Sequence, residues 1–224
     1  MDLIGGLDAV TRELLLFAAF GFLVGGIDDL VVDLIYTVRR LAGRGGRRAL
    51  GDFAAPSDIA RLAILVPAWD EVAVIGPMLR AAVARIEHCD YRIYVGVYPN
   101  DRATIDAVAA ASVEDTRVRL VIGPHPGPTT KGDNLNAIWR AVEQADREDG
   151  RVTRAVVLHD AEDVIHPLEL RVFDSLLDEH AVVQLPVQPL IRDEARWISG
   201  LYADLFAEAH RLLSSLRARQ CCQG

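Results

Sequence analysis

From residue 62 onward, short apolar runs bounded by turn residues alternate with longer segments whose apolar residues recur at three-and-four spacing. That alternation is the tightest constraint on the fold. LAILV at 62–66, ended by Pro67, reads as a buried strand, and Ile75, Met78, Leu79, Ala82, Val83 and Ile86 mark one face of a helix over about 71–86. The pairing repeats with a strand at 91–98 (YRIYVGVY) and a helix at about 102–111. A strand at 118–122 (VRLVI), the turn-rich loop GPHPGPTTKG at 123–132 and a helix carrying Leu135, Ile138, Trp139 and Val142 come next. A strand at 154–158, a helix at about 167–178 and an apolar run at 181–187 complete the series. Strands alternating with helices predict an α/β fold, with a mainly parallel sheet flanked by helices on both faces.

Ahead of this domain, residues 14–27 (LLLFAAFGFLVGGI) are continuously apolar, and the pattern resumes after Asp28 and Asp29 as far as Tyr36. The 23 residues of 14–36 would form a helix of about 34 Å, enough for a hydrocarbon core of about 30 Å. Asp28, Asp29 and Asp33 oppose insertion, at about 2.5–3.5 kcal/mol each at mid-bilayer, although Asp29 and Asp33 share one helical face that a partner helix or polar cavity could cover. A secretory signal would start basic, whereas Asp2, Asp8 and Glu13 outweigh Arg12 here. Arg39, Arg40, Arg44, Arg47 and Arg48 follow directly, and positive flanks stay in the cytoplasm. A transmembrane helix at 14–38 with the remainder cytosolic is therefore expected, on an inner membrane.

With 224 residues, 51% apolar and 25% charged, the chain has material for one packed domain and an appendage. Its net charge is −8 despite the arginine cluster, so the body is acidic, which argues against a nucleic-acid partner. Cys89, Cys221 and Cys222 give neither a disulfide framework nor a zinc spacing, and reduced thiols are expected.

In a parallel sheet, ligands sit beyond the carboxyl ends of the strands. Pro67 to Glu71 follow the first strand, Asn100 and Asp101 the second, the Lys131 loop the third and Asp160 to Asp163 the fourth, so four polar clusters fall on one edge. Singly, each has a plainer role: Asp70 and Glu71 suit a helix dipole, Asp101 an N-cap and Asp163 a turn. Asp160 and Glu162, one residue apart in an extended segment, can both approach a hard cation such as Mg²⁺ or Mn²⁺. His159 and His166 have no recognised metal spacing and read as packed or surface histidines.

The order Val66-Pro67-Ala68-Trp69-Asp70-Glu71, Asn100-Asp101, Lys131-Gly132-Asp133-Asn134-Leu135-Asn136 and Asp160-Ala161-Glu162-Asp163 resembles glycosyltransferase family 2 over residues 62–188. YPND, LHDAEDVIHP and LPVQPL, together with the apolar N-terminal segment, are most similar to the membrane-bound bacteriophage adsorption protein B family. The resemblance implies a GT-A, Rossmann-like fold that binds a nucleotide-sugar, with UDP as the expected nucleotide. Pro67, Ala68 and Glu71 would border the uridine pocket, Glu71 and Asp101 would hydrogen-bond the base or ribose, and Asn100 would belong to the same nucleotide-sugar site. Lys131, Asp133 and Asn136 match the family's KxxxLN segment beside the donor, and Asp160 and Glu162 match the metal-holding DxD pair. Asp70 stands where the family usually has Asn, and Glu162 where it has Asp.

The family's catalytic base, an Asp in a TED-like motif, and its QxxRW segment have no counterpart; Arg196-Trp197 lacks the preceding Gln. Ile198, Leu201, Leu205, Ala209, Leu212 and Leu216 suggest an amphipathic helix, and the ending RARQCCQG suggests a truncated chain. The expected layout is an N-terminal segment at 1–13, the membrane helix at 14–38, a basic linker at 39–57, a GT-A domain at 58–190 and a tail at 191–224. Its expected activity is inverting sugar transfer from a UDP-sugar to an unidentified acceptor in envelope or exopolysaccharide biogenesis, among other envelope membrane proteins. The competing reading is a non-catalytic scaffold or nucleotide-sensing module. A sugar-phosphate nucleotidyltransferase is disfavoured, because Pro67-Ala68-Trp69-Asp70 is no glycine-rich basic loop.

Overall fold

A computed structural model describes residues 3–42, 53, 60–185, 187, 189–191, 193–201 and 203. The chain forms two compact units, one of residues 48–183 and one of residues 1–47 with 184–224. The second of these opens with helix α1 (Leu3–Leu41), whose stretch Gly6–Ile27 is long and apolar enough to cross a membrane. Large apolar side chains along it, among them Phe17, Phe20, Phe22 and Leu23, are exposed. The helix contains the span expected at 14–38, while the stretch long and apolar enough to cross a membrane starts earlier, at Gly6, and stops at Ile27. Arg39 and Arg40 fall in its last turn, whereas Arg44, Arg47, Arg48 and most of the expected linker lie outside the described residues. Of the expected tail helix, residues 196–201 are helical; Leu205, Ala209, Leu212 and Leu216 are outside the described residues.

The unit of residues 48–183 runs β1 (Leu62–Pro67), α2 (Ile75–Arg85), β2 (Tyr91–Val97), α3 (Arg102–Glu114), β3 (Val118–Ile122), α4 (Lys131–Asp149), β4 (Ala155–Leu158) and α5 (Glu169–Leu176). All strands pair in parallel, in the order β3-β2-β1-β4. Alternation along β1 decides the two cores. Leu62, Ile64 and Val66 join Ile75, Leu79, Ile105, Val108 and Leu170 from α2, α3 and α5. Ala63 and Leu65 join Tyr94, Ile138 and Val142 against α4 on the opposite face. β2 and β3 extend the sheet to one side of β1, and β4 adds on the other. The strand order thus reverses between β1 and β4, which opens a crevice at their carboxyl ends.

Four helices differ from expectation in their bounds. α2 begins at Ile75, since Asp70 adopts φ 58° and residues 71–74 form a turn closed by Glu71 O. α3 continues to Glu114 because Ala111 is buried and its carbonyl still accepts a hydrogen bond, from Asp115 N. α4 starts within the expected loop, capped by Thr130, and ends on Gly150 at φ 63°, a left-handed C-cap. α5 is shorter at both ends, and the described residues of the apolar run at 181–187, namely 181–185 and 187, join no strand, with Val182 and Val187 exposed.

Candidate functional site

The crevice holds a cavity of about 390 Å³. Pro67, Ala68, Trp69 and Glu71 reach it from the end of β1, Tyr98 from β2, Lys131 and Asn134 from the start of α4, and Asp160 and Glu162 from the end of β4. Six of the sequence-derived candidates therefore share one cavity: Pro67, Ala68, Glu71, Lys131, Asp160 and Glu162.

The other candidates lie around it. Asn100 clamps the β3–α4 loop, donating to Gly127 O and accepting from Gly127 N, both at 2.7 Å. Asp101 is buried and caps α3, accepting from Thr104 N at 3.2 Å and from Asp70 N at 2.7 Å. Asp133 accepts from the Thr129 hydroxyl at 2.9 Å, and Asn136 is exposed on α4 outside the cavity lining. In its place Asn134 lines the cavity, buried, with Nδ2 donating to Gly96 O at 3.1 Å. Asn134, unlike Asn136, lies one turn from Ile138 on the packed face, so burial periodicity was the signal that could have found it.

Two aromatic residues that stand in the quoted motifs without an expected role also shape the site. Trp69 and Tyr98 meet edge to face at 5.3 Å and 84°, and the Tyr98 hydroxyl is 3.1 Å from that of Thr129. Together they tie the loops after β1, β2 and β3.

Charge in the cleft is predominantly negative. Burial raises the pKa of Glu71, and the neighbouring carboxylates Glu162, Asp70 and Asp160 raise it further. Lys131 Nζ pairs with Asp160 Oδ1, while Asp160 N donates to Asp163 Oδ2 at 2.9 Å. Behind this turn, His159 is packed between Asp163 at 3.1 Å and Glu169 at 2.8 Å. Burial lowers the His159 pKa, but the two carboxylates outweigh it and hold the value above the ordinary one.

Among the described residues, no three Cys, His, Asp or Glu side chains are grouped to hold a metal by themselves. Asp160 and Glu162 nevertheless offer oxygen donors at an open cleft, and Mg²⁺ is commonly held by one or two carboxylates with the remaining positions left to phosphate and water. The donor set fits a hard divalent cation whose remaining positions are filled from outside the chain.

The family described as Glycosyltransferase like family 2 matches residues 60–221. Bacteriophage adsorption protein B of Escherichia coli (strain K12) is 36% identical over 208 residues, covering 90% of this chain and 27% of that protein. Bacteriophage N4 adsorption protein B of Escherichia coli O157:H7 gives the same figures, 36% identity over 90% of this chain and 27% of its own length. The chain thus spans about a quarter of the length of these curated relatives. A mannosyltransferase from Pyrobaculum calidifontis, solved in complex with GDP-Man and Mn²⁺, superposes with a TM-score of 0.47 and 16% identity, over 76% of this chain and 46% of that one.

Proposed function

Since the chain belongs to the family described as Glycosyltransferase like family 2, we propose that its crevice is the donor site of a membrane-anchored glycosyltransferase domain, which binds a UDP-sugar with Mg²⁺ or Mn²⁺ for inverting transfer. The observation that carries this reading is the meeting of Glu71, Lys131, Asp160 and Glu162, from three separate strand ends, in one cavity of a GT-A-like sheet. Asp160 and Glu162 hold the cation, and Lys131 supplies a point charge to the diphosphate. When bound, the cation neutralises the charge that builds on the departing nucleoside diphosphate. Pro67, Ala68 and Glu71 border the nucleoside, with Glu71 accepting a hydrogen bond from it.

Asp101 and Asn100 act through the loops they hold: Asp101 sets the backbone of Asp70 beside Glu71, and Asn100 sets the loop that leads to Lys131. Asp133 and Asn136 belong to the same α4 segment beside the donor. No catalytic base for the acceptor hydroxyl is assigned among the described residues. The apolar stretch of α1 supports membrane anchoring, and the arginines after it support a cytosolic domain at the inner membrane.

The test is calorimetric titration of UDP into the detergent-solubilised chain with and without Mn²⁺, alongside Asp160→Asn. Metal-dependent binding that disappears in the variant is expected. A folded protein that binds no UDP under either condition would overturn the donor-site reading and place the non-catalytic scaffold first.

A further inference from the structure

Lys131 is the one lysine of the sequence, in which Lys and Arg together number 24. It is the first residue of α4, and its ammonium crosses the cleft to Asp160 just beyond β4. Both side chains are more than half exposed, at 58% and 53%. An ion pair so wetted biases an equilibrium by no more than about fivefold, so it is a weak latch.

Among the cavity-lining residues Lys131 is the cation, facing the carboxylates of Glu71, Asp160 and Glu162. A diphosphate arriving alone meets excess negative charge, while a divalent cation arriving alone meets an Asp160 that is already paired. Only joint arrival gives every charge a partner: the carboxylates take the cation, and the displaced ammonium takes a phosphate oxygen.

On the reading of this cleft as a nucleoside-diphosphate site, we propose that Lys131 is the resident counter-ion of Asp160, exchanged for a divalent cation and passed to the diphosphate that binds with it. Metal and diphosphate then bind with positive coupling carried by one side chain, and by linkage each strengthens the other by the same factor.

A single lysine makes the exchange directly observable. The full chain, in detergent micelles and isotope-labelled at lysine Cε, gives one lysine side-chain resonance. Mg²⁺ alone is expected to move that resonance in the wild type and to leave it in place in Asp160→Asn; UDP added with Mg²⁺ moves it again. By calorimetry, Lys131→Gln is expected to bind Mg²⁺ alone up to about fivefold more tightly, and to lose a similar factor from the enhancement that Mg²⁺ confers on UDP binding. A wild-type resonance indifferent to saturating Mg²⁺, or an enhancement unchanged in Lys131→Gln, overturns the exchange. UDP binding with an unresponsive lysine sinks the exchange alone, whereas absence of UDP binding in every condition sinks the donor-site reading and the exchange with it.

Discussion

Asp101 accepts the backbone N–H of Asp70 at 2.7 Å through one carboxylate oxygen while the other accepts the N–H of Thr104 at 3.2 Å and caps α3. Thr104 reciprocates by accepting from Glu71 N at 3.1 Å. The loop after β1 is thereby seated on the start of α3 and holds Asp70 at φ 58°, a region that Asp tolerates better than most residues.

Truncating Asp101 orphans two backbone donors, so Asp101→Ala is expected to lose about 1–3 kcal/mol of stability in urea titrations. Burial alone would raise the Asp101 pKa, yet hydrogen bonds from Asp70 and Thr104 bring it below the ordinary carboxylate value. A depressed folded value means stability that is present above the unfolded pKa and lost as pH falls through the folded one. Unfolding midpoints for Asp101→Asn measured down an acid series should therefore fall less steeply than those of the wild type.

Gly96 lies on β2 beneath α4, and a Cβ built there would sit 1.9 Å from Asn134 Oδ1 and 2.6 Å from Ile138 Cδ1. Both side chains are buried, so neither can swing clear. Gly96→Ala should cost about 1–3 kcal/mol by overpacking and displace Asn134 from the cleft. Gly123→Ala, whose Cβ would find only Val97 O at 3.5 Å, is the matched control and should unfold within about 0.5 kcal/mol of the wild type.

His159 bridges Asp163 and Glu169 beneath the Asp160 turn, with its folded pKa held above the ordinary value. For a raised histidine, the contribution to stability is full below the unfolded pKa and is lost as pH rises through the folded one. Thermal melts from mildly acidic to mildly alkaline pH should show a declining midpoint in the wild type and a flatter profile in His159→Gln. Equal slopes in the two proteins would contradict this assignment.

Glu71 has the opposite sense from Asp101. Burial and its carboxylate neighbours raise its pKa, so stability falls as pH rises from the ordinary unfolded value through the raised folded one. Glu71→Gln should accordingly withstand slightly more urea than the wild type at neutral pH, with the gap closing under acid. On the donor-site proposal it should also bind UDP up to about tenfold more weakly, because the Gln amide oxygen accepts the hydrogen bond without the carboxylate's charge.

The elements were legible because each depends on residues a few positions apart. LAILV is five residues long and closed by Pro67, which marks it as a buried strand in preference to a helix, and the spacing of Leu135, Ile138 and Val142 marks a helix with one packed face. Boundaries drifted where a distant group intervened. α2 starts late because its loop is tied to Asp101, 31 residues from Asp70, and no local pattern contains that bond. The KxxxLN spacing drew attention to Asn136, while packing against Gly96 brought Asn134 into the cleft.

By itself, the sequence determined the alternation of strands and helices, hence a parallel sheet and the edge at which its polar clusters gather; it also determined the apolar stretch that α1 contains. Tertiary structure alone decided that β4 pairs with β1, opening the crevice there, and that Lys131 meets Asp160 across 29 residues of chain. The physical reason is range. Periodicity and turn chemistry act between neighbours along the chain, whereas strand order and the meeting of charges from separate strand ends depend on how whole elements pack.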